Sequence, residues 1–333
     1  MRSPIIWLFI IITILLNACG SGKETIIESP KSDTTDIVHF NFIIGPDLSN
    51  RVDQSIYPKP VNDLDITKQL LSKLESILKY RRSEGQRDVY NLSFINKGLI
   101  NMYDVDMSKL TLNFGTFENQ KNRIDYIKDR SPAKLSVDKK TFLEEYQRII
   151  QASIDQTHGA DLWSYFNTGL NSLVVRKDEE IISYNGKYYR HKFRNILILL
   201  TDGYLEAELY GDEGCVSKKL CYYLSGQRVK SFRQAFKNSQ TGDVKEFFDD
   251  EGYGIVPVNN PNLKDLEVLV MEMYDRSLSS SGSARVHPTD EEVLKVFWSD
   301  WLDKSGVKRF ELHKTVTTIE EAKTVIFDFV GID

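Results

Sequence analysis

Apolar residues recur along this chain in two rhythms, and their order predicts a layered α/β domain. The stretch from Asn195 to Gly203 (Asn-Ile-Leu-Ile-Leu-Leu-Thr-Asp-Gly) sets five apolar residues in succession and stops at Thr201, Asp202 and Gly203. An unbroken run of this kind suits a strand covered by helices on both faces, as in a parallel sheet. Ile37 to Gly45 has the same form and ends at Pro46, Asp47, Leu48 and Ser49. Leu110–Phe114, Leu266–Tyr274 and Val307–Leu312 complete the predicted strands, the last of them edge-like. Leu70, Leu71, Leu74, Ile77 and Leu78 share one helical face and predict a helix over Asp65–Tyr80. Phe142–Ile154 and Asp161–Val174 also read as helices.

Two capping boxes, Thr289-Asp290-Glu291-Glu292 and Thr318-Ile319-Glu320-Glu321, open the last two helices. The first runs to Lys304 on an apolar stripe of Leu294, Phe297, Trp298 and Trp301, and Gly306 ends it. The second reaches about Phe329. The predicted fold class is α/β: a doubly wound, mostly parallel sheet flanked by helices, with an inserted hairpin and loops. The hairpin is Arg176–Arg194, turning at Asn185-Gly186. A second insertion, Glu206–Gln227, follows Asp202 and is expected to overhang that strand end. No interior linker divides residues 37–333, which read as one domain.

The N-terminus stands apart. Arg2, an apolar run from Ile5 to Leu16, and Leu16-Asn17-Ala18-Cys19 have the layout of a secretory signal over residues 1–18. The run is short for a transmembrane helix. Leu-x-Ala-Cys resembles a bacterial lipobox, which implies that Cys19 is lipidated with acyl chains such as palmitate and begins the mature protein. Buried acyl chains then anchor the protein to a membrane. By likeness to bacterial lipoproteins, the non-acidic Gly20 points to the outer membrane. Residues 19–36 are polar and read as a flexible tether. Gly20-Ser21-Gly22-Lys23 is no phosphate loop, because no strand precedes it and no helix follows.

Composition changes the picture in two places. The net charge is −5, falling to −6 once Arg2 leaves with the signal, so nucleic acid is not the expected partner. Of three cysteines, Cys215 and Cys221 remain after lipidation of Cys19. In an oxidising compartment so close a pair is expected to form a disulfide. Zinc spacings are absent.

The candidate chemistry lies at the two strand ends. Asp47 with Ser49, and Asp202 with Thr201, bring hard oxygen ligands to the carboxyl edge of the sheet, where α/β folds bind ligands. In this pattern the chain resembles the von Willebrand factor A (vWA) family. There the first strand ends in Asp-x-Ser-x-Ser and a central strand ends in Thr-Asp-Gly. The resemblance implies a divalent-cation site (Mg, Mn or Ca) with Asp47, Ser49 and Asp202 as ligands, directly or through water. Asp161 is the candidate fourth group, standing in Gly159-Ala160-Asp161 near the position of the family's distant Thr. Thr201 and Arg51 lie just behind. The resemblance further implies a macromolecular partner, a protein whose acidic group fills the open position on the ion.

The sequence departs from the family at Arg51, which replaces the third hydroxyl. A guanidinium repels cations. Two readings therefore stay open: a bound cation, or a metal-free scaffold for envelope assembly in which Arg51 neutralises Asp47, Asp161 or Asp202. Neither reading makes the chain an enzyme. A third reading, a phosphatase using Asp104 and Asp106, is disfavoured because Asp-x-Asp normally ends the first strand of its fold and here follows a strand and a helix. No Gly-x-Ser-x-Gly, His-Glu-x-x-His or Gly-x-Gly-x-x-Gly occurs.

Overall fold

A computed structural model describes residues 34–79, 86–95, 97–156, 158–179, 181–184, 186–206, 214–279 and 281–332. The signal, Cys19, most of the tether and Asn185 lie outside the described residues. The chain enters on β1 (Thr34–Pro46) and continues through α1 (Asp63–Ser72), α2 (Leu74–Lys79), β2 (Val89–Leu92), α3 (Gly98–Met102) and β3 (Thr111–Asn113). Then come α4 (Gln120–Ile127), α5 (Leu135–Asp155), β4 (Ile182–Tyr184) and β5 (Lys187–Leu200). A small excursion, β6 (Cys215–Ser217) and β7 (Leu220–Cys221), leads to α6 (Gly226–Ser239), α7 (Val244–Asp250) and β8 (Gly254–Ile255). The chain closes with β9 (Leu266–Met273), α8 (Asp290–Lys304), β10 (Arg309–Lys314) and α9 (Ile319–Val330).

The main sheet runs β10-β9-β5-β1-β2-β3, with β4 paired to β5. Every neighbour pair along that path is parallel except β2–β3. Numbered by their order in the chain, these six strands stand as 3-2-1-4-5-6, the arrangement of a doubly wound sheet. Alternate residues of the central strands feed two cores, as the two-residue period of a strand requires. Phe42, Ile44, Ile196, Ile198 and Leu200 pack with α1, α2, α5 and α9. Ile43, Leu197 and Leu199 face the other way, against α6, α7 and α8. Cys215 and Cys221 form a disulfide within the small sheet β6-β7-β8.

Three of the expected elements take a different form. The helix expected over Asp65–Tyr80 is two helices broken at Lys73. The helix expected over Asp161–Val174 is a single turn, Leu162–Ser164, passing into a π-helical turn, Tyr165–Gly169. Asn167, Gly169 and Asn171 explain the early stop. Asn and Gly are poor helix formers, and the Asn171 side chain accepts the Leu173 N–H at 2.9 Å in a local turn. The hairpin placed at 176–194 forms, with β4 antiparallel to β5, but its second arm continues as the start of β5, which pairs with β1 from Thr34–Tyr188 onwards.

That pairing builds a ribbon. β1 and β5 run together from residue 34, but β2 and β9 join only at Asn41–Val89 and Asn195–Leu266. The first seven residues of β1 therefore project with β5 beyond the amino-terminal edge of the sheet, extended by β4. Two buried histidines hold its base. The Arg87 N–H donates to His39 Nδ1 at 3.0 Å, so His39 carries its proton on Nε2 and donates to His191 Nδ1 at 2.7 Å. A second proton on this pair would set two N–H groups against each other. Burial, helped by the Arg87 charge, pushes His191 below its ordinary value of 6.5. As pH falls below that value the unfolded chain takes up a proton that the native chain refuses, so stability drops until the lower native value is passed. Unfolding temperatures measured between pH 7.5 and 5 should fall, and His191→Gln should flatten the slope.

Candidate functional site

The doubly wound order places a switch point between β1 and β5, whose following helices pack on opposite faces. Asp47 and Asp202 sit there. The Asp47 N–H donates to Leu200 O at 2.9 Å, binding the end of β1 to the end of β5. Its carboxylate is enclosed. Oδ1 accepts the Ser49 N–H at 3.0 Å, and Oδ2 accepts the Thr201 hydroxyl at 2.9 Å. Burial raises the Asp47 pKa, the charge of Asp202 adds to this, and Arg51 works against it.

Asp202 Oδ1 accepts the Tyr204 N–H at 3.1 Å, and Oδ2 accepts Arg276 at 2.8 Å. The Arg276 guanidinium also donates to Glu206 at 3.1 Å and lies 3.8 Å over the Tyr204 ring. Although burial opposes its charge, these partners raise the Arg276 pKa. The Tyr204 hydroxyl donates to Asp290, which also pairs with the buried Arg233. Gly203 takes a left-handed φ of 87°, and a Cβ there would stand 3.1 Å from Met273 Cε. Trp298 Nε1 donates to the Gly203 carbonyl at 2.7 Å and fixes the turn.

Arg51 has a different partner from the three carboxylates considered for it. It is 2% exposed and donates two parallel bonds to Asp63, at 2.6 and 2.8 Å, plus one to the Asp47 carbonyl at 2.9 Å. Lys59 stands 3.3 Å from Asp63 and 3.5 Å from the buried Glu272, so four alternating charges run beneath the site. Burial opposes ionisation of Asp63, but Arg51 and Lys59 outweigh it and hold its pKa low. Burial raises the Glu272 pKa.

A cleft of about 280 Å³ opens above these residues, lined by Asp47, Ser49, Asp202, Glu206, Arg276 and His158 among others. Asp161 spends one oxygen on its own helix start, where Oδ1 accepts the Ser164 N–H at 2.9 Å. Its Oδ2, like His158 Nε2, is buried without a hydrogen-bond partner among the described residues. Those residues hold no grouping of three His, Cys, Asp or Glu side chains arranged to bind a metal. Asp104 and Asp106 lie apart from the cleft, in a turn where Asp106 accepts from Ser108. Of the residues expected at the site, Asp47, Ser49, Thr201 and Asp202 come together at the strand ends, Arg51 turns to Asp63, and Asp161 is not among the residues that line the cleft. Arg276 was not expected there, although it follows the apolar run 266–274 much as Asp202 follows its own. Asp63, Lys59 and Glu272 were not expected either, because no local pattern ties them to Arg51.

Fold and site together define a doubly wound α/β domain with a carboxylate-lined cleft at its switch point. No protein-family model matches the chain, and no curated protein matches its sequence.

Proposed function

We propose that the chain is a cell-envelope lipoprotein, anchored through Cys19 and directed to the outer membrane. In this reading its vWA-like domain binds a macromolecular partner in the cleft between the ends of β1 and β5. One observation carries the binding mode: the charge balance of the cleft. Three carboxylates, Asp47, Asp202 and Glu206, share one guanidinium, that of Arg276, which pairs with Asp202 and Glu206, because Arg51 belongs to Asp63 and Lys59 to Asp63 and Glu272. The cleft thus keeps negative charge, which favours a positive group of the partner, a Lys or Arg side chain, seated beside Asp47 and Asp202.

The second reading is a divalent cation bridging to an acidic group of the partner. Asp47, Ser49 and Asp202 would hold it, and the ion would supply an open position for that group. Burial of Asp47 beside the charge of Asp202, which together raise its pKa, favours this reading, since a cation would offset both. Against it, a hard cation takes about six oxygen ligands. Each carboxylate oxygen of Asp47 and Asp202 already accepts a donor, and a guanidinium sits on Asp202. The residues as arranged fit the metal-free reading better.

Thermal unfolding separates the two. A ligand that binds only the native state stabilises it, by about 2.7 kcal/mol at a hundredfold excess over its dissociation constant. The metal-free reading expects no shift of the wild-type transition with Mg, Mn or Ca. It also expects a photo-crosslinker at Asn50 to capture a partner that Asp202→Asn and added salt release. A clear rise with one of the cations in wild type would return the site to the metal reading.

A further inference from the structure

We infer that the opposite, amino-terminal edge of the sheet is a docking surface for an anionic phospholipid bilayer. A cavity of about 650 Å³ lies at that edge, where Lys264 precedes β9, Lys308 precedes β10, and Lys192 and Arg194 mark the base of the ribbon. Arg176 and Lys177 close it, so six cations line it against two carboxylates, Asp178 and Asp265. Two more carboxylates serve these cations from behind: Glu267 pairs with Arg194 and Lys308, and Asp36 with Lys192. Positive charge remains in excess, on a chain whose net charge is −5. Among the described residues no carboxylate comes within ion-pairing distance of Arg176 or Lys264. The Arg176 guanidinium lies 5.2 Å over the Phe193 ring, and burial lowers its pKa against the opposing charge of Glu179. A half-buried cation held in this way favours an incoming anion.

The ribbon supplies a second, independent observation. Val38, Ile181 and Ile182 are exposed by 43%, 39% and 44%, beside Tyr188, Tyr189, Lys187 and Arg190. Apolar and aromatic side chains interleaved with Lys and Arg are the composition of surfaces that sit at the boundary of headgroups and acyl chains. The direction of the chain selects a membrane as occupant. β1 starts at this edge with Thr34, fifteen residues after Cys19. At roughly 3.3–3.6 Å per residue those residues span at most about 54 Å. The orientation, though not the charge of the surface, rests on the lipid anchor proposed above. The two faces of the domain then divide the work: this edge on the bilayer, the cleft turned away from it.

The test uses the full chain lipidated at Cys19 and reconstituted in vesicles, with a bimane label on Ile182→Cys and nitroxide-bearing headgroups. Docking predicts strong quenching on phosphatidylglycerol-containing vesicles and weak quenching on purely zwitterionic ones. It also predicts loss of the difference in high salt. Each Lys or Arg near an anionic surface contributes about 1 kcal/mol. Arg176→Gln with Lys264→Gln, which keeps the apolar stems, should therefore weaken docking roughly thirtyfold. Equal quenching on both vesicle types, or quenching abolished by inorganic phosphate alone, overturns the proposal; the second outcome would assign the cavity to a soluble phosphate. Carbonate extraction reads the anchor separately. If the chain washes off, the anchor fails, and salt-sensitive sedimentation with anionic but not zwitterionic vesicles still decides docking.

Discussion

Arg51→Ser should lower the unfolding free energy by about 3–5 kcal/mol, the usual consequence of removing one partner from a buried ion pair. Asp63 is 3% exposed and would keep only Lys59, at 3.3 Å, while the Asp47 carbonyl loses its donor. Arg51→Lys should recover little, because an ammonium cannot make the two parallel bonds to Asp63. Replacing Arg51 with Met and Asp63 with Leu together should restore much of the loss, since an apolar pair of similar volume leaves no stranded charge. Urea unfolding of the four proteins checks this. If Arg51→Ser is no less stable than wild type, the charge chain beneath the site does not hold it together. The sequence alone invites the opposite expectation, that Ser would complete a cation site. Mg or Mn restoring the lost stability of Arg51→Ser would show that such a site had been created.

Trp298→Ala is expected to destabilise by about 3–5 kcal/mol, as truncation of a fully buried Trp does. Trp298 is 0% exposed and packs edge-on against Trp301 and Phe166. Its N–H also holds the Gly203 carbonyl, one residue beyond Asp202. The variant should therefore lose partner capture in the cleft at temperatures where it is still folded. Trp298→Phe keeps most of the packing and strands the Gly203 carbonyl, so it should cost about 1–3 kcal/mol. Urea midpoints of both variants, read beside crosslinking at Asn50, separate packing from positioning. Identical losses would assign no special part to the bond.

The layered fold was legible because the central strands are apolar on both faces and the last two helices announce their starts. Thr289 makes the expected capping box with Glu292. Thr318 caps Glu321 N–H as expected, but the Glu321 carboxylate turns to Thr317 N–H instead of closing the box. Asp47 and Asp202 were legible for the same reason as their strands, since each interrupts an apolar run. Arg276 and Asp63 were not. The partner of a buried charge is chosen in three dimensions, and Arg51 reaches twelve residues along the chain to a helix start whose own signal concerns only capping. The ribbon was half legible: β4 pairs antiparallel with β5 where a hairpin is expected, but no local pattern says that the second arm pairs with a strand about 150 residues earlier.

The central place of β1 has a mechanical consequence. If the chain is tethered at its amino end, any pull from the membrane enters at Thr34 and runs along β1. That strand lies between β2 and β5 and is parallel to both. Its hydrogen bonds to β5 extend over thirteen register pairs, from Thr34–Tyr188 to Pro46–Leu200, and stand across the direction of the load. A force so applied must shear the ladder as a unit, whereas the same force on an edge hairpin would open it one bond at a time. A domain tethered in that way would be strung from a central strand, and the carboxylates at the far end of β1 would keep their geometry under the load.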